Sequence, residues 1–350
     1  PGPGERWCNR DMAKTMRMLA KGGRESFYQG EIAEAIAFFA QNNGGFLSVE
    51  DMANHQTQLI EPIRTTYRGH EVLGQPPASQ GLIMLEELNI LEGFPISEWG
   101  HLSADSLHHS IEAKKLAFAD RIAYIGDPNS TDNPLDALLS KDFANTRAKE
   151  IDPEKASSSA KAGELPNHDT TYFCVMDGEG NAVSFIQSIF AEFGAGCVVE
   201  GTGMLMNNRM NGFYLDPDSP NVLAPGKKPI HTLNAYMLIK DGKPSLVCGT
   251  PGGDVQVQTN LQIIEAVVDH GITLQEAIEA PRWNHGGDIV ALEDRVPDDT
   301  VAELERRGHR AKSSGAWGGS GHVQGVMIHS DNGAMMIGSD PRCDGCGLGW

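Results

Sequence analysis

The sequence predicts an α+β fold, helix-rich in its first half and built from hairpins interleaved with helices in its second. Two observations carry that prediction. Arg10–Lys21, Glu31–Asn42, Gln80–Leu91 and Ser106–Ile125 place apolar residues at three- and four-residue spacing, the period of an amphipathic helix. At Thr170 the pattern changes: Thr170–Met176 and Ala182–Ser188 flank Asp177-Gly178-Glu179-Gly180, a hairpin turn between two strand-like runs. A polar linker rich in Pro, Ser, Ala and Lys, Pro153–His168, separates the two regimes.

The remaining elements follow in order. Glu50-Asp51 closely follows Ser48, a helix start with acids in its first turn. Ile60–Val72 reads as strand broken by Gly69, and Pro76-Pro77 fixes an extended turn before the next helix. Beyond the Thr170 hairpin, Tyr236–Lys240 and Ser245–Cys248 pair around Asp241-Gly242. Val255–Asp269 and Thr273–Ala280 read as helices, and Val323–His329 pairs with Met335–Gly338 around Asp331-Asn332-Gly333. Hairpins interleaved with long helices imply a layered domain.

Composition narrows the function classes. The 350 residues suffice for one large domain or two intimately joined halves. A net charge of −19 with no basic cluster argues against nucleic acid and anionic membrane surfaces as partners. The apolar runs fall far short of the ~20 residues that span a bilayer. Six cysteines are scattered rather than framed as disulfides. Cys343-Asp344-Gly345-Cys346 has CxxC spacing but lacks the companion ligands of a structural zinc site, and His108-His109 point about 100° apart on their helix, so no metal or other cofactor is expected.

Two segments have chemistry to offer. In Asp169-Thr170-Thr171-Tyr172-Phe173, a threonine follows a flexible linker and opens a strand. Cleavage between Asp169 and Thr170 would free an α-amine of pKa about 7.7–8.0, a general base suited to neutral pH. The same residues are ordinary strand composition, so alone they leave both readings open. Thr250-Pro251-Gly252-Gly253-Asp254 precedes a helix, where glycines permit close approach of a ligand to backbone N–H groups. A tight turn with Asp254 as helix cap would look the same. Gly318-Gly319-Ser320-Gly321-His322 is a glycine loop from which His322 could approach a pocket.

The motifs taken together settle more. TTYFCVMDGEGNAVSF, MLMNNRMNGF, PGKKPIHTLNAYMLIKDGKPSLVCGTPGG, EAPRW and GSDPR, in that order, resemble the small subunit of the γ-glutamyltransferase family. Upstream, GGRESFYQGEIAEAI, GGFLSVEDMANHQ, PIRTTYRGHEVLGQPPASQG and ILEGFP resemble the second half of that family's large subunit. The resemblance implies the four-layer αββα sandwich of the N-terminal-nucleophile hydrolases. It implies a precursor that cleaves itself into a heterodimer, here residues 1–169 (the C-terminal part of the large subunit) and 170–350 (the small subunit). It also implies that the chain begins within the large subunit, leaving its compartment open with a lean to the cytoplasm. By the same resemblance Thr170 is the nucleophile, Ser188 orients it in place of a threonine, and Gly252 and Gly253 form the oxyanion hole.

The pocket departs from the glutathione-cleaving type. Phe190 stands where those members have a substrate-touching Asn. Arg209 and Gly212 replace the Gln and the amine-binding acid of their NNQMDDF segment, and His231-Thr232 replaces a Ser-Ser pair. An ammonium partner is lost and Arg209 is gained, with His231 a candidate second cation. Tyr214–Lys228 is also shorter than the lidded members' loop. Such a pocket should favour a small amide whose acyl group carries a carboxylate and no α-amine. The implied activity is a γ-glutamyltransferase-like amidohydrolase. The alternatives are a conventional γ-glutamyltransferase or glutathione hydrolase, an oxamate amidohydrolase or glutaryl/cephalosporin-type acylase, and a non-catalytic paralogue.

Overall fold

The structure is a computed structural model and describes residues 2–158, 168–319 and 321–350. Most of the linker before Thr170, and Ser320 of the glycine loop, lie outside the described residues. The chain forms two compact units, Pro1–Ile60 with Ala191–Asn208, and Glu61–Phe190 with Arg209–Trp350.

The first unit holds α1 (Arg10–Tyr28), α2 (Glu31–Asn42), α3 (Val49–Ala53) and a short ribbon, β5 (Val198–Val199) with β6 (Met204–Leu205). The helix expected over Arg10–Lys21 continues to Tyr28 through a kink, because Gly23 leaves helical geometry (φ 56°). Ser48 and Asp51 form a reciprocal capping box at the start of α3, so the Ser48 helix start reads correctly from the sequence. Ile32, Ala33, Ile36, Met52 and Val199 make the core of this unit.

The second unit carries every candidate site residue. Its first elements are β1 (Ile63–Tyr67), β2 (His70–Gly74), α4 (Gly81–Leu91), α5 (Ile96–Trp99), α6 (Ala104–Tyr124), α7 (Leu135–Leu138) and α8 (Lys141–Ala148). The hairpin β3 (His168–Met176) and β4 (Ala182–Ala191) follows, then β7 (Tyr236–Lys240), β8 (Lys243–Gly249), α9 (Val255–Val268) and α10 (Leu274–Glu279). The chain closes with β9 (Trp283–Gly286), β10 (Ile289–Leu292), α11 (Asp298–Arg306), β11 (Arg310–Ser313), β12 (Gln324–Ile328) and β13 (Met335–Ser339). An all-antiparallel sheet runs β1-β2-β7-β8-β12-β13, with Val72 opposite Leu238 and Val247 opposite Val326. A smaller sheet runs β11-β10-β9.

Helices α4 and α9 pack on the large sheet, enclosing Ile83, Leu88, Val257 and Leu261 with Tyr67, Val72, Tyr236 and Leu238. The β3–β4 hairpin lies against strands β8 and β12. A Cβ on Gly249 would stand 2.4 Å from the Tyr172 ring, so glycine lets the hairpin seat tightly on β8. Helices, six-stranded sheet and hairpin are thus three successive layers of the α+β sandwich. The expected boundary at Asp169–Thr170 falls inside this unit, on β3.

The expected hairpins are all present. Asp177 closes the first: its Oδ1 accepts from the Glu179 and Asn181 amides, and Gly180 takes φ 89°. The segments EAPRW and GSDPR, distant in sequence, meet in a buried ion-pair network. Arg282 Nη2 donates to Asp340 Oδ2 (2.6 Å), and Arg342 donates to Glu293 Oε1 (2.7 Å) and Asp340 Oδ1 (3.1 Å). Arg282 Nη1 also donates to the Gly321 carbonyl (3.0 Å), which holds that loop against Thr250.

Candidate active site

Strand alternation decides which side chains of the hairpin turn inward. Thr170, Cys174, Ser184 and Ser188 are half-buried and Tyr172 is buried, whereas Thr171, Phe173 and Val175 are exposed. The first threonine of the pair therefore faces into the layered unit. Thr170 Oγ1 donates to Ser188 Oγ (3.0 Å), and Ser188 Oγ also accepts from the Phe190 amide (2.9 Å). Ser188 reaches its neighbour because β3 and β4 pair across one short turn. Asp169 precedes Thr170 on β3.

From Ser188 the site continues through Phe190. This residue is buried and adopts φ 82°, a left-handed conformation rare for a bulky side chain. Its ring lies under the Arg209 guanidinium, whose carbon is 5.0 Å from the ring centroid, a cation–π contact. Arg209 Nη1 donates to Thr232 Oγ1 (3.4 Å). Burial pulls Arg209 down to about 10, so it remains charged at neutral pH. His231 differs from expectation. Burial pushes its ring down to about 4, with the Arg209 and Lys228 charges adding to the effect. It is therefore neutral near pH 7 and adds no second cation. The physical reason is that desolvation and like charge both disfavour the imidazolium.

The segment His231–Ala235 is fastened largely by side chains. His231 donates its amide to the Ala78 carbonyl (2.8 Å), Ser79 Oγ donates to the Leu233 carbonyl, and Gln256 Oε1 accepts from the Asn234 amide (2.9 Å). Gly212 lies at the end of a 3-10 turn, Arg209–Gly212, close to Ile230 just before this segment. A Cβ there would stand 2.5 Å from the Ile230 carbonyl oxygen. Asn221, 1% exposed, holds both backbones: its Nδ2 donates to the Gly212 carbonyl and its Oδ1 accepts from the Ile230 amide (3.1 Å). The loop between Tyr214 and Lys228 is tied down too, through the Lys228 amide to Asp127 Oδ2 (2.7 Å) and Thr131 Oγ1 to the Pro220 carbonyl (3.0 Å).

Gly252 (φ 131°) and Gly253 (φ 58°) both occupy backbone regions that favour glycine. Their carbonyls accept from the Val255 and Gln256 amides as α9 begins (3.0 and 3.1 Å). Asp254 does not cap that helix with its side chain, contrary to the cap reading. Its carboxylate pairs instead with Arg121 Nη1 (2.7 Å), because a buried guanidinium needs a counter-charge more than the helix end needs a second acceptor. His322 is exposed, and its amide donates to Thr250 Oγ1 (2.7 Å).

A continuous path of contacts therefore joins Thr170, Ser188, Phe190, Arg209 and Thr232. One residue that the sequence marks only as a helix start extends it to Gly253: Gln80, whose amide reaches both the Thr232 and the Gly253 carbonyls (2.6 and 2.9 Å). Only the Ser-Gln-Gly step before an apolar helical run marks it in sequence.

A separate cluster offers metal-type ligands, His108, Glu112 and His309, with ligand atoms within 4.8 Å of one another. His109 turns away, its Nδ1 on the Asp105 carbonyl (2.7 Å). His108 Nδ1 and His309 Nε2 are already 2.8 Å apart in a hydrogen bond, and Lys115 Nζ sits 2.6 Å from Glu112 Oε1. A direct imidazole pair and an ammonium fill the place of a cation. Cys343 donates to the Asp340 carbonyl (3.4 Å) and Cys346 is exposed.

The pattern of the gamma-glutamyltranspeptidase family matches residues 1–350. The chain belongs to that family. It is 37% identical over 357 residues to the glutathione hydrolase-like YwrD proenzyme of Bacillus subtilis, covering 100% of this chain and 67% of that protein. It is 35% identical over 357 residues to the oxamate amidohydrolase proenzyme of Klebsiella pneumoniae, with the same coverage of 100% and 67%. Among solved structures, cephalosporin acylase from Bacillus halodurans matches with a TM-score of 0.91 and 38% identity, over 100% of this chain and 64% of that one. The chain thus spans about two thirds of the length of these family members. The likeness to the acylase also establishes the N-terminal-nucleophile hydrolase fold expected above.

Proposed function

We propose that the complete protein is a self-cleaving amidohydrolase that acts through an acyl-enzyme on Thr170. The observation that carries this reading is the Thr170 Oγ1–Ser188 Oγ hydrogen bond on the inward face of the β3–β4 hairpin, joined by contacts to Arg209, Thr232 and the glycine pair. In the maturation step, Thr170 Oγ1 attacks the Asp169 carbonyl carbon. The C–N bond breaks, which frees the Thr170 amine and leaves Asp169 as an ester on Thr170 Oγ1; water then hydrolyses that ester to the Asp169 carboxylate and the Thr170 hydroxyl. Residues 1–169 and 170–350 then persist as separate polypeptides of one folded assembly.

Turnover uses the same hydroxyl. Its proton passes to the Thr170 α-amine as the oxygen attacks the substrate amide, and the N–H groups of Gly252 and Gly253 receive the oxyanion. Collapse breaks the amide C–N bond, with the proton returned to the leaving nitrogen. Water, deprotonated by the same amine, releases the acyl group as a carboxylic acid. Ser188 keeps the Thr170 oxygen oriented throughout.

The acyl group is read by Arg209 and Thr232 over the Phe190 ring. A charged guanidinium suits a carboxylate, and the backbone around Gly212 leaves no room for an acid that would hold an α-amine. The substrate class is therefore a small amide with a carboxylate-bearing acyl part and no free ammonium. The relatives named for oxamate and cephalosporin substrates accord with that class. Intact mass and N-terminal sequencing of the complete protein test the mechanism: a fragment beginning at Thr170 is expected, and a stable uncut chain refutes it. Hydrolysis rates on oxamate, glutaryl amides and γ-glutamyl-p-nitroanilide test the substrate, which is wrong if the γ-glutamyl compound is preferred.

A further inference from the structure

We propose that Gln80 is a positioning residue that locks the glycine loop to the acyl-binding wall, with Arg121 and Asp254 completing the lock. This rests on the reading of Gly252 and Gly253 as the oxyanion site. Gln80 lies at the start of α4 and is 2% exposed. Its side chain uses both kinds of polar group. Nε2 donates one hydrogen to the Thr232 carbonyl (2.6 Å) and the other to the Gly253 carbonyl (2.9 Å), and Oε1 accepts from Arg121 Nη1 (3.3 Å). Arg121 Nη1 also donates to Asp254 Oδ1 (2.7 Å), and its guanidinium lies over the Phe118 ring, 4.7 Å from the centroid.

A loop of two adjacent glycines has many conformers open to it, and a peptide flip would turn its N–H groups away from a substrate. The α9 amides hold the loop through the Gly252 and Gly253 carbonyls. Gln80, at the start of α4, adds a second donor to the Gly253 carbonyl. The same amide group fixes the residue whose hydroxyl meets Arg209. One side chain therefore sets the spacing between the oxyanion donors and the group that reads the acyl carboxylate. Oxyanion stabilisation depends on donors placed in advance, and displacement of about 1 Å costs on the order of a hundredfold in rate.

The test compares Gln80→Met and Gln80→Glu with wild type in the complete protein. Methionine keeps the volume and removes both donors; glutamate keeps an acceptor for Arg121 but places carboxylate oxygen against the two carbonyls. Hydrogen–deuterium exchange of a peptide covering 250–256 reads loop order without any turnover. Both variants are expected to speed exchange there about tenfold or more, and to lower kcat about tenfold to a hundredfold with KM within about threefold. Unchanged exchange overturns the proposal, whatever the activity. Faster exchange with kcat within about twofold of wild type overturns it as well. If wild type itself is neither cleaved at Thr170 nor active, the functional reading fails, while exchange still decides whether Gln80 holds the loop.

Discussion

Replacing Glu265 by glutamine should stabilise the protein increasingly as pH rises above about 4.5 and leave it nearly unchanged below that. Glu265 lies on α9 and is 6% exposed, with Ser110 Oγ donating to its Oε1 (2.8 Å) and Asp269 one turn further on. Burial pushes its carboxyl from an ordinary 4.5 up to about 8. In an unfolded chain the proton leaves near 4.5, whereas the native state retains it to about 8. Between those values the unfolded state binds fewer protons, so native stability falls as pH rises. The slope is about 1.4 kcal/mol for each pH unit. Stability from this group is complete below the unfolded value, drains across the window and levels off above the folded value. Glutamine has no proton to lose and escapes the penalty. The gap between Glu265→Gln and wild type should thus grow from near zero at about pH 4.5 to roughly 3–5 kcal/mol by about pH 8. Urea unfolding of both proteins at four or five pH values measures it. A gap that stays constant across that range refutes the assignment of a neutral, buried Glu265.

Further expectations concern the site. Thr170→Ala should leave the complete protein as one uncut chain by mass and inactive on every amide, since the hydroxyl serves both maturation and turnover. Arg209→Met should raise KM for carboxylate-bearing amides by about tenfold to a hundredfold, the worth of a charge-assisted contact of about 1.5–3 kcal/mol. An uncharged acyl analogue measured alongside should be much less affected. Gly212→Asp should not create γ-glutamyl specificity. Its Cβ would meet the Ile230 carbonyl at 2.5 Å, and a loss of about 1–3 kcal/mol in thermal or urea unfolding is the expected outcome.

Much of the molecule is legible in sequence because local rules act within a few residues. The strands around Asp177–Asn181 and Asp241-Gly242 follow from turn chemistry and alternation, and the same alternation turns Thr170 inward and Thr171 outward. The helix over Glu31–Asn42 ends where its period ends. Other elements left fainter marks. Lys141–Ala148 is short and mostly polar, and Asp298–Arg306 has only two buried residues, so neither announces itself by an apolar stripe. The pairing of Arg282 with Asp340 joins motifs 58 residues apart, and no local pattern encodes which acid an arginine will find.

The sequence by itself determined the longer helices, the hairpin that presents Thr170, the glycine pair at Gly252 and Gly253, and the exchange of an acid for Gly212. These depend on backbone preference and residue identity, which travel with the chain. Only the tertiary structure decided the charge and linkage of the site. His231 loses its proton because burial and Arg209 surround it, Asp254 turns from its helix to Arg121, and Gln80 gathers two carbonyls from separate segments. Each outcome depends on solvent exclusion and on groups brought together from distant positions. Dielectric environment and three-dimensional proximity are properties of the packed unit, and they exist only once the layers have closed.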